Sequence, residues 1–144
     1  FFLTLDAQSR ITCFHAPRSY GLPYRYAKCK LTADSEQYKW SSRRSSDGAE
    51  LKGECKPTGI ARSAKQGSLE YFLFERYCLY TSHKGVLHRA YTQHDPWIYK
   101  TAEAIIESNS LTESYDLGIE NLTQPDCVHI SSGVSVRTWS IEPL

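Results

Sequence analysis

Five cysteines spread along the chain constrain its fold more than any other feature of the sequence. They are separated by 16, 26, 23 and 49 positions and lie at Cys13, Cys29, Cys55, Cys78 and Cys127. A zinc site needs ligands that are close in sequence, as in a C-x-x-C pair, and this spacing offers none. Distant cysteines are typical of disulfides that close long loops, each worth about 2–4 kcal/mol. We therefore expect at least two intramolecular disulfides, with the pairing open and one thiol left over.

Disulfides predict a secreted protein, because they persist in oxidising compartments. The chain contains no methionine, even at position 1, which indicates a processed or trimmed chain. The sequon that begins at Asn121 is a glycosylation candidate that agrees with this location. No apolar run approaches the ~20 residues of a membrane span, so no membrane contact is expected. The alternative is a cytosolic protein with five buried thiols.

The local patterns predict one domain over 1–144 with short strands in its first half. Strands are expected over Ile11–His15, Tyr24–Leu31 and 38–42. The stretch 43–68 is rich in Ser, Gly and Lys, and it predicts a mobile loop with a brief strand around Glu50–Cys55.

The second half predicts a hairpin, a helix and further strands. The aromatic segment 69–80 is compatible with strand or helix, and as a strand it would pair with Val86–Tyr91. Asp95 and Pro96 are typical of a helix start, and the apolar residues after them repeat at helical spacing as far as Asn109. Residues 127–141 predict strands broken at Gly133. The expected fold class is α+β, a small antiparallel sheet packed with one or two helices and stabilised by disulfides.

Three histidines, His83, His88 and His94, are the most obvious candidates for a site. Their spacings are five and six, whereas a helical metal pair favours four; a shared strand face needs an even number, which His83 and His88 do not have. No single element brings the three together. We therefore expect no metal and no cofactor at these positions.

Enzyme signatures are missing from the sequence. It has no G-x-S-x-G elbow, no H-E-x-x-H, no P-loop and no G-x-G-x-x-G. The prediction is a protein that is not an enzyme. The alternative is a small secreted ribonuclease, which could take its base, acid and cation from Glu75, Arg76, His15 and His129.

Charge is unevenly distributed along the chain. Residues 1–65 carry twelve Lys or Arg against six Asp or Glu, and residues 66–144 carry five against ten. The basic excess predicts a protein partner, with Arg25, Lys28, Arg43 and Arg44 as binding candidates. In the stretch 43–68, acidic residues stand among the basic ones and reduce its positive charge. We therefore do not expect nucleic acid as a partner. The chain is predicted to be a monomer, or a disulfide-linked dimer through the odd cysteine.

A short, methionine-free chain with dispersed cysteines and many aromatic residues resembles the small secreted effectors of plant-pathogenic fungi. It is most similar to the Leptosphaeria avirulence-suppressing (LARS) family and its leaf-mould relatives. That family carries the motif Trp-Arg-(Phe or Tyr)-x-Arg, and residues 24–28 here read Tyr-Arg-Tyr-Ala-Lys, with different end residues. The resemblance implies a secreted, non-enzymatic virulence or avirulence effector. Such a protein binds host plant proteins, enters host cells in some cases, and masks or triggers recognition by an immune receptor. The ribonuclease-like effectors of mildews are the second family it resembles.

Overall fold

Two β-sheets dominate the protein in a computed structural model that describes residues 2–35, 37–115, 117–118 and 121–144. The first sheet curls into a half-barrel. Its strands run in the order β1-β2-β3-β4-β8-β5, and β9 also pairs with β8. The strands are β1 (Leu5–Ala7), β2 (Tyr24–Ala33), β3 (Tyr38–Arg44), β4 (Glu50–Pro57), β5 (Arg62–Ser63), β8 (Ile98–Asn109) and β9 (His129–Ser131). All its pairings are antiparallel except that of β1 with β2.

The second sheet is built around one long strand. Its members are β6 (Cys78–His83), β7 (Val86–His94), β10 (Val136–Thr138) and β11 (Glu142–Pro143). Both β6 and β11 pair with Arg89, so they lie on opposite edges of β7. The two-residue turn between β6 and β7 consists of Lys84 and Gly85, with φ of 52° and 78°. Positive φ at both central residues is typical of the turns that fit the twist of a hairpin.

Three short helical segments complete the secondary structure of the described residues. Helix α1 (Arg10–Tyr20) begins after Ser9, whose hydroxyl accepts the Thr12 amide, and ends at Gly21, where φ is 66°. Helix α2 (Leu69–Phe74) begins after Ser68, whose hydroxyl accepts the Tyr71 amide. A 3-10 turn spans Glu113–Tyr115. Serine caps and a left-handed glycine satisfy backbone groups that a helix leaves free at its ends.

The two faces of the half-barrel differ in burial. Residues paired across strands share a face, so Ala27 and Arg44 lie on one face, and Lys28 and Arg43 lie on the other. On the first face Ala27 is 0% and Cys55 8% exposed, whereas Lys28 and Arg43 are exposed. On that same face the indole of Trp40 lies close above Gly53.

The expected α+β class is wrong. The chain is 47% strand and 14% helix, so it is mostly β. The disulfide framework is wrong as well, because all five cysteines are free. Strand pairing holds each sheet together, and no strand of one sheet pairs with a strand of the other among the described residues.

Several local predictions are confirmed and others are wrong. The strands at Tyr24–Leu31, 38–42 and Glu50–Cys55 are confirmed as parts of β2, β3 and β4. Segment 69–80 contains both alternatives, a helix and then the start of the hairpin strand β6. The predicted strand Ile11–His15 lies inside α1, because the Ser9 and Gly21 caps enclose it.

Two longer predictions are also wrong. The helix expected after Asp95 and Pro96 is strand β8, which pairs with β4, β5 and β9. The loop expected over 43–68 contains β4, β5 and the end of β3. Strands broken at Gly133 are confirmed by β9 and β10 on either side of it. Neither helix in the described part of the chain has the length and apolar character needed to cross a membrane.

Candidate functional site

A cleft of about 690 Å³ lies where the two sheets and α2 meet. The second sheet contributes β7 and β10, the first sheet contributes β8 and β9, and the N-terminal segment contributes Phe2. The lining residues are Phe2, Leu73, Phe74, Arg76, Thr92, His94, Trp97, Tyr99, His129, Ile130, Ser131 and Val136. Most of these side chains are apolar or aromatic, which is the usual composition of a small-molecule site.

Three rings form one wall of the cleft. The ring of Phe74 lies 4.9 Å from that of Tyr99 and 5.3 Å from that of His129. The rings of Tyr99 and His129 are 5.0 Å apart and nearly perpendicular. Tyr99 is 4% exposed, and its hydroxyl accepts a hydrogen bond of 3.2 Å from Nε of Arg62. Edge-to-face contacts of this kind fix ring orientation, so the wall is preformed.

His129 is also oriented by a carboxylate. Its Nε2 lies 3.7 Å from Oε1 of Glu70, and the imidazole is 11% exposed. The pKa of Glu70 is lowered, first by hydrogen bonding to its own backbone amide and to Ser68, and less by His129. Glu70 is therefore ionised at neutral pH and faces the imidazole as an anion.

His94 forms the opposite side of the cleft. Its ring stacks on that of Tyr77 at 4.6 Å and meets Trp97 edge-on at 6.0 Å. Its Nδ1 lies 2.8 Å from the carbonyl oxygen of Asp95, and its Nε2 lies 3.3 Å from that of Arg76. Each ring nitrogen therefore has a backbone carbonyl oxygen within hydrogen-bond distance, and a neutral imidazole can donate to only one of the two.

Glu75 is a buried carboxylate next to the cleft, 9% exposed. One of its oxygens accepts a hydrogen bond from the Tyr77 hydroxyl, and the other accepts one of 3.1 Å from the Trp97 backbone amide. The hydrogen bond to Glu75 raises the pKa of Tyr77 to about 12. Glu75 thus connects α2 to the start of β8 and holds the stacked Tyr77 and His94 rings in place.

Arg76 carries the positive charge of the cleft. Its guanidinium lies 3.8 Å from the centre of the Phe72 ring, and its backbone carbonyl accepts the Thr92 hydroxyl at 3.1 Å. No carboxylate within the described residues pairs with its side chain. Arg76 also lines an adjoining pocket of about 580 Å³ beside Tyr77 and Tyr80. A guanidinium held against an aromatic face and free of an ion pair is available to an anionic ligand.

Three of the four residues proposed for a ribonuclease come close together in the structure, and the fourth does not. Arg76 and His129 line the same cleft, and Glu75 adjoins it. His15 lies on the exposed side of α1, with its ring against Phe14, and does not line the cleft. Glu75 accepts hydrogen bonds from Tyr77 and Trp97, and the ribonuclease stays an alternative prediction.

The partner-binding candidates lie elsewhere. Lys28 and Arg43 stand opposite each other on β2 and β3, both exposed, and Arg25 pairs with Asp47 at 3.6 Å. Arg44 is 4% exposed and bonded to Asp6, so the position expected for it in an exposed loop is wrong. A role in partner binding stays a prediction for the four residues.

The other predicted sites are scattered. His83 and His88 touch across the hairpin at 5.9 Å, and His94 lies at the cleft instead. In the part of the chain that the structure describes, no group of three or more His, Cys, Asp or Glu could hold a metal. Asn121 is exposed, and its use as a glycosylation site stays a prediction.

Sequence reasoning missed most of the cleft. Phe74, Trp97 and Tyr99 were not identified, because aromatic residues in strands and short helices are common in any core. Arg76, His94 and His129 were singled out separately but not as one site, and the Asp95-Pro96 break beside them was interpreted as a helix start.

Comparison with known proteins finds one family and one curated relative. Residues 1–135 match DUF2071, a family described as an uncharacterized conserved protein. The chain is 30% identical over 142 residues to the Bacillus subtilis (strain 168) protein named Uncharacterized protein YqjF. This match covers 98% of the chain and 58% of the relative, so the chain spans a little over half of that relative's length. No solved structure matches.

These matches overturn the resemblance to LARS effectors. The family is a conserved one with a bacterial relative, so the assignment to a plant-pathogenic fungus and the virulence or avirulence role are wrong. The plant origin of the expected partner depended on that resemblance. Secretion, entry into other cells and the existence of a protein partner stay predictions.

Proposed function

The chain belongs to the DUF2071 family, and from the chemistry of its cleft we propose that it binds a small, largely apolar molecule that carries an anionic group. The observation that carries the proposal is the pairing of an aromatic wall with Arg76, a cation without an ion pair in the described residues. The family description assigns no activity, so the argument depends on the site.

Size and apolar character support this ligand class. The cleft volume of about 690 Å³ falls within the roughly 300–1,000 Å³ typical of small-molecule sites. Burying apolar ligand surface there is favourable by about 25 cal/mol per Å². The rings of Phe74, Tyr99 and His129 support one another through edge contacts, so little ordering is needed when a ligand enters.

The charge in the cleft favours an anion. His94 is bonded to two backbone carbonyls and His129 faces Glu70, whereas the Arg76 guanidinium keeps its donors available. A hydrogen bond from a charged donor contributes about 1.5–3 kcal/mol, and less where water reaches the pair, as it does at the exposed Arg76.

We keep the expectation that this chain acts by binding and not by catalysis. The groups near the cleft that could act as a general base all have close contacts: Glu75 accepts two hydrogen bonds, both nitrogens of His94 face carbonyl oxygens, and Nε2 of His129 faces Glu70. Tyr77, with its pKa raised to about 12, stays neutral at physiological pH. These contacts support a rigid binding site.

The test uses two fluorescent probes that differ in one charged group. 1-Anilinonaphthalene-8-sulfonate is an aromatic anion, and N-phenyl-1-naphthylamine is its neutral counterpart. We expect one saturable site for each probe on the folded chain. The variant Arg76→Leu should weaken binding of the anionic probe by about tenfold, a loss of roughly 1.4 kcal/mol of binding free energy. Its affinity for the neutral probe should stay nearly unchanged.

Arg18→Leu is the matched control, because the Arg18 guanidinium also lies over a ring, that of Phe14 at 3.9 Å, but Arg18 does not line the cleft. It should bind both probes as the parent chain does. A narrowing variant, Val136→Trp, should weaken both probes together. Equal losses in the Arg76 and Arg18 variants, or no saturable binding, would refute the proposal.

A further inference from the structure

The outer face of the second sheet exposes a group of large apolar side chains. Opposite residues of β6 and β7 share a face, which places Tyr80 beside Arg89 and Tyr91 beside Cys78. Leu87 lies on the same face, and Trp139 joins it through its amide, which donates to the Tyr91 carbonyl at 3.0 Å. We call this surface the aromatic face; its members Tyr80, Leu87, Tyr91 and Trp139 are 46%, 44%, 49% and 51% exposed.

The exposed area of the chain exceeds what its mass predicts. Its accessible surface is 10155 Å², whereas a monomeric protein of 16.4 kDa exposes about 7,500 Å². The excess of about 2,600 Å² is comparable to one partner's share of a large obligate dimer interface, roughly 1,000–2,500 Å². This excess belongs to the whole chain, and the aromatic face is one of the exposed surfaces that a partner can cover.

The composition of the aromatic face fits an interface. Tyrosine, tryptophan and arginine dominate the residues that contribute most to protein association. Arg89 lies over the Tyr91 ring at 5.1 Å and pairs with Glu142 at 2.7 Å. Because the face carries this balanced pair, two copies related by a two-fold axis can place Arg89 of each near Glu142 of the other without repulsion.

We propose that a second copy of this chain covers the aromatic face and forms a non-covalent two-fold dimer. The sequence predicted a monomer or a disulfide-linked dimer, and this proposal replaces both. Thr92, His94 and Val136, which line the cleft, alternate with the aromatic-face residues and point to the other side of the same sheet. Dimerisation therefore leaves the cleft open, and the proposal does not depend on ligand binding.

The test is the mass of the chain in solution, by analytical ultracentrifugation across concentrations around 10 μM, where a micromolar dimer is populated. The parent chain should have twice the mass of 16.4 kDa. Leu87→Glu should weaken the dimer by at least about tenfold, because it buries an uncompensated charge at the contact. Arg89→Glu should also weaken it, since two Glu residues would then face each other.

Ile105→Glu is the matched control, since Ile105 is an apolar strand residue, 64% exposed, on the first sheet. It should dimerise as the parent does. If circular dichroism shows that Leu87→Glu is unfolded, the variant of the partly exposed Arg89 decides. A parent chain that stays monomeric, a larger assembly, or a dimer that neither variant weakens would overturn the proposal.

Discussion

The guanidinium of Arg44 donates from Nε to Oδ1 of Asp6 across 2.8 Å, and the two side chains are 3% and 8% exposed. The second carboxylate oxygen of Asp6 accepts the Ser42 hydroxyl at 2.7 Å, and Arg44 also donates to the Thr4 hydroxyl. Asp6 lies on β1 and Arg44 on β3, so the pair spans the intervening strand β2. It anchors the parallel edge strand to the half-barrel.

Removing one partner of this pair should destabilise the protein strongly. Arg44→Leu leaves the Asp6 carboxylate buried without its counter-charge, which typically costs about 3–5 kcal/mol. Arg43→Leu changes the neighbouring exposed residue and should cost less than about 0.5 kcal/mol. Urea unfolding measures both free energies. Similar losses in the two variants would contradict the structural role given to Arg44.

The titration of Tyr77 should depend on Glu75. Its hydrogen bond to Glu75 raises the pKa of Tyr77 from 10.0 to about 12. Because the pKa of Tyr77 is higher in the folded than in the unfolded chain, its protonated form stabilises the folded state. This stabilisation is complete below about pH 10 and is lost as the pH rises toward 12. The measurement is a pH titration of tyrosinate absorbance for the parent chain and for Tyr77→Phe. The difference between the two curves is the titration of Tyr77. Glu75→Gln should move that difference titration to lower pH, and an unmoved curve would show that Glu75 is not the cause.

The cysteines should react as free thiols. Since all five are free, a denatured and unreduced sample should show five alkylatable thiols by mass spectrometry. In the folded protein, Cys55 is 8% exposed and burial raises the pKa of its thiol, whereas Cys127 is exposed. Cys127 should therefore react faster than Cys55 by at least about tenfold. Fewer than five thiols before reduction would instead restore the disulfide prediction.

Gly53 should not tolerate a side chain. A Cβ there would lie 2.5 Å from the Ile105 carbonyl oxygen and 2.9 Å from the Trp40 ring, beside the register shift between β4 and β8. Gly53→Ala should therefore cost about 1–3 kcal/mol through overpacking. Thermal or urea unfolding measures the loss. An unchanged free energy of unfolding would show that β8 and Trp40 are free to shift.

Part of the fold could be predicted because the signal is local. The hairpin of β6 and β7 follows from two apolar runs around Lys84 and Gly85, whose positive φ suits a tight turn. The alternating residues of β2 indicated a strand with two different faces. In these segments, neighbours in sequence supply the interactions that decide the structure.

Strand β8 shows where local signals fail. Ile98, Ala102, Ile105 and Ile106 repeat at helical spacing, and Pro96 suits a helix start, so the segment was interpreted as a helix. Its backbone instead pairs with β4, β5 and β9, which supply hydrogen bonds along twelve residues. Tertiary pairing overrides a helical pattern when several strands offer partners at once.

The sequence by itself determined the turn between β6 and β7 and the strands within β2, β3 and β4, because these depend on backbone preferences within a few residues. The tertiary structure alone decided that Arg44 is buried, that the cysteines stay apart, and that Phe74, Tyr99 and His129 meet in one cleft. Burial and contact depend on which distant strands pair and in which register. A shift of one residue in that register exchanges the two faces of a strand. The type of a residue therefore does not by itself decide whether its side chain is buried or which residues it contacts.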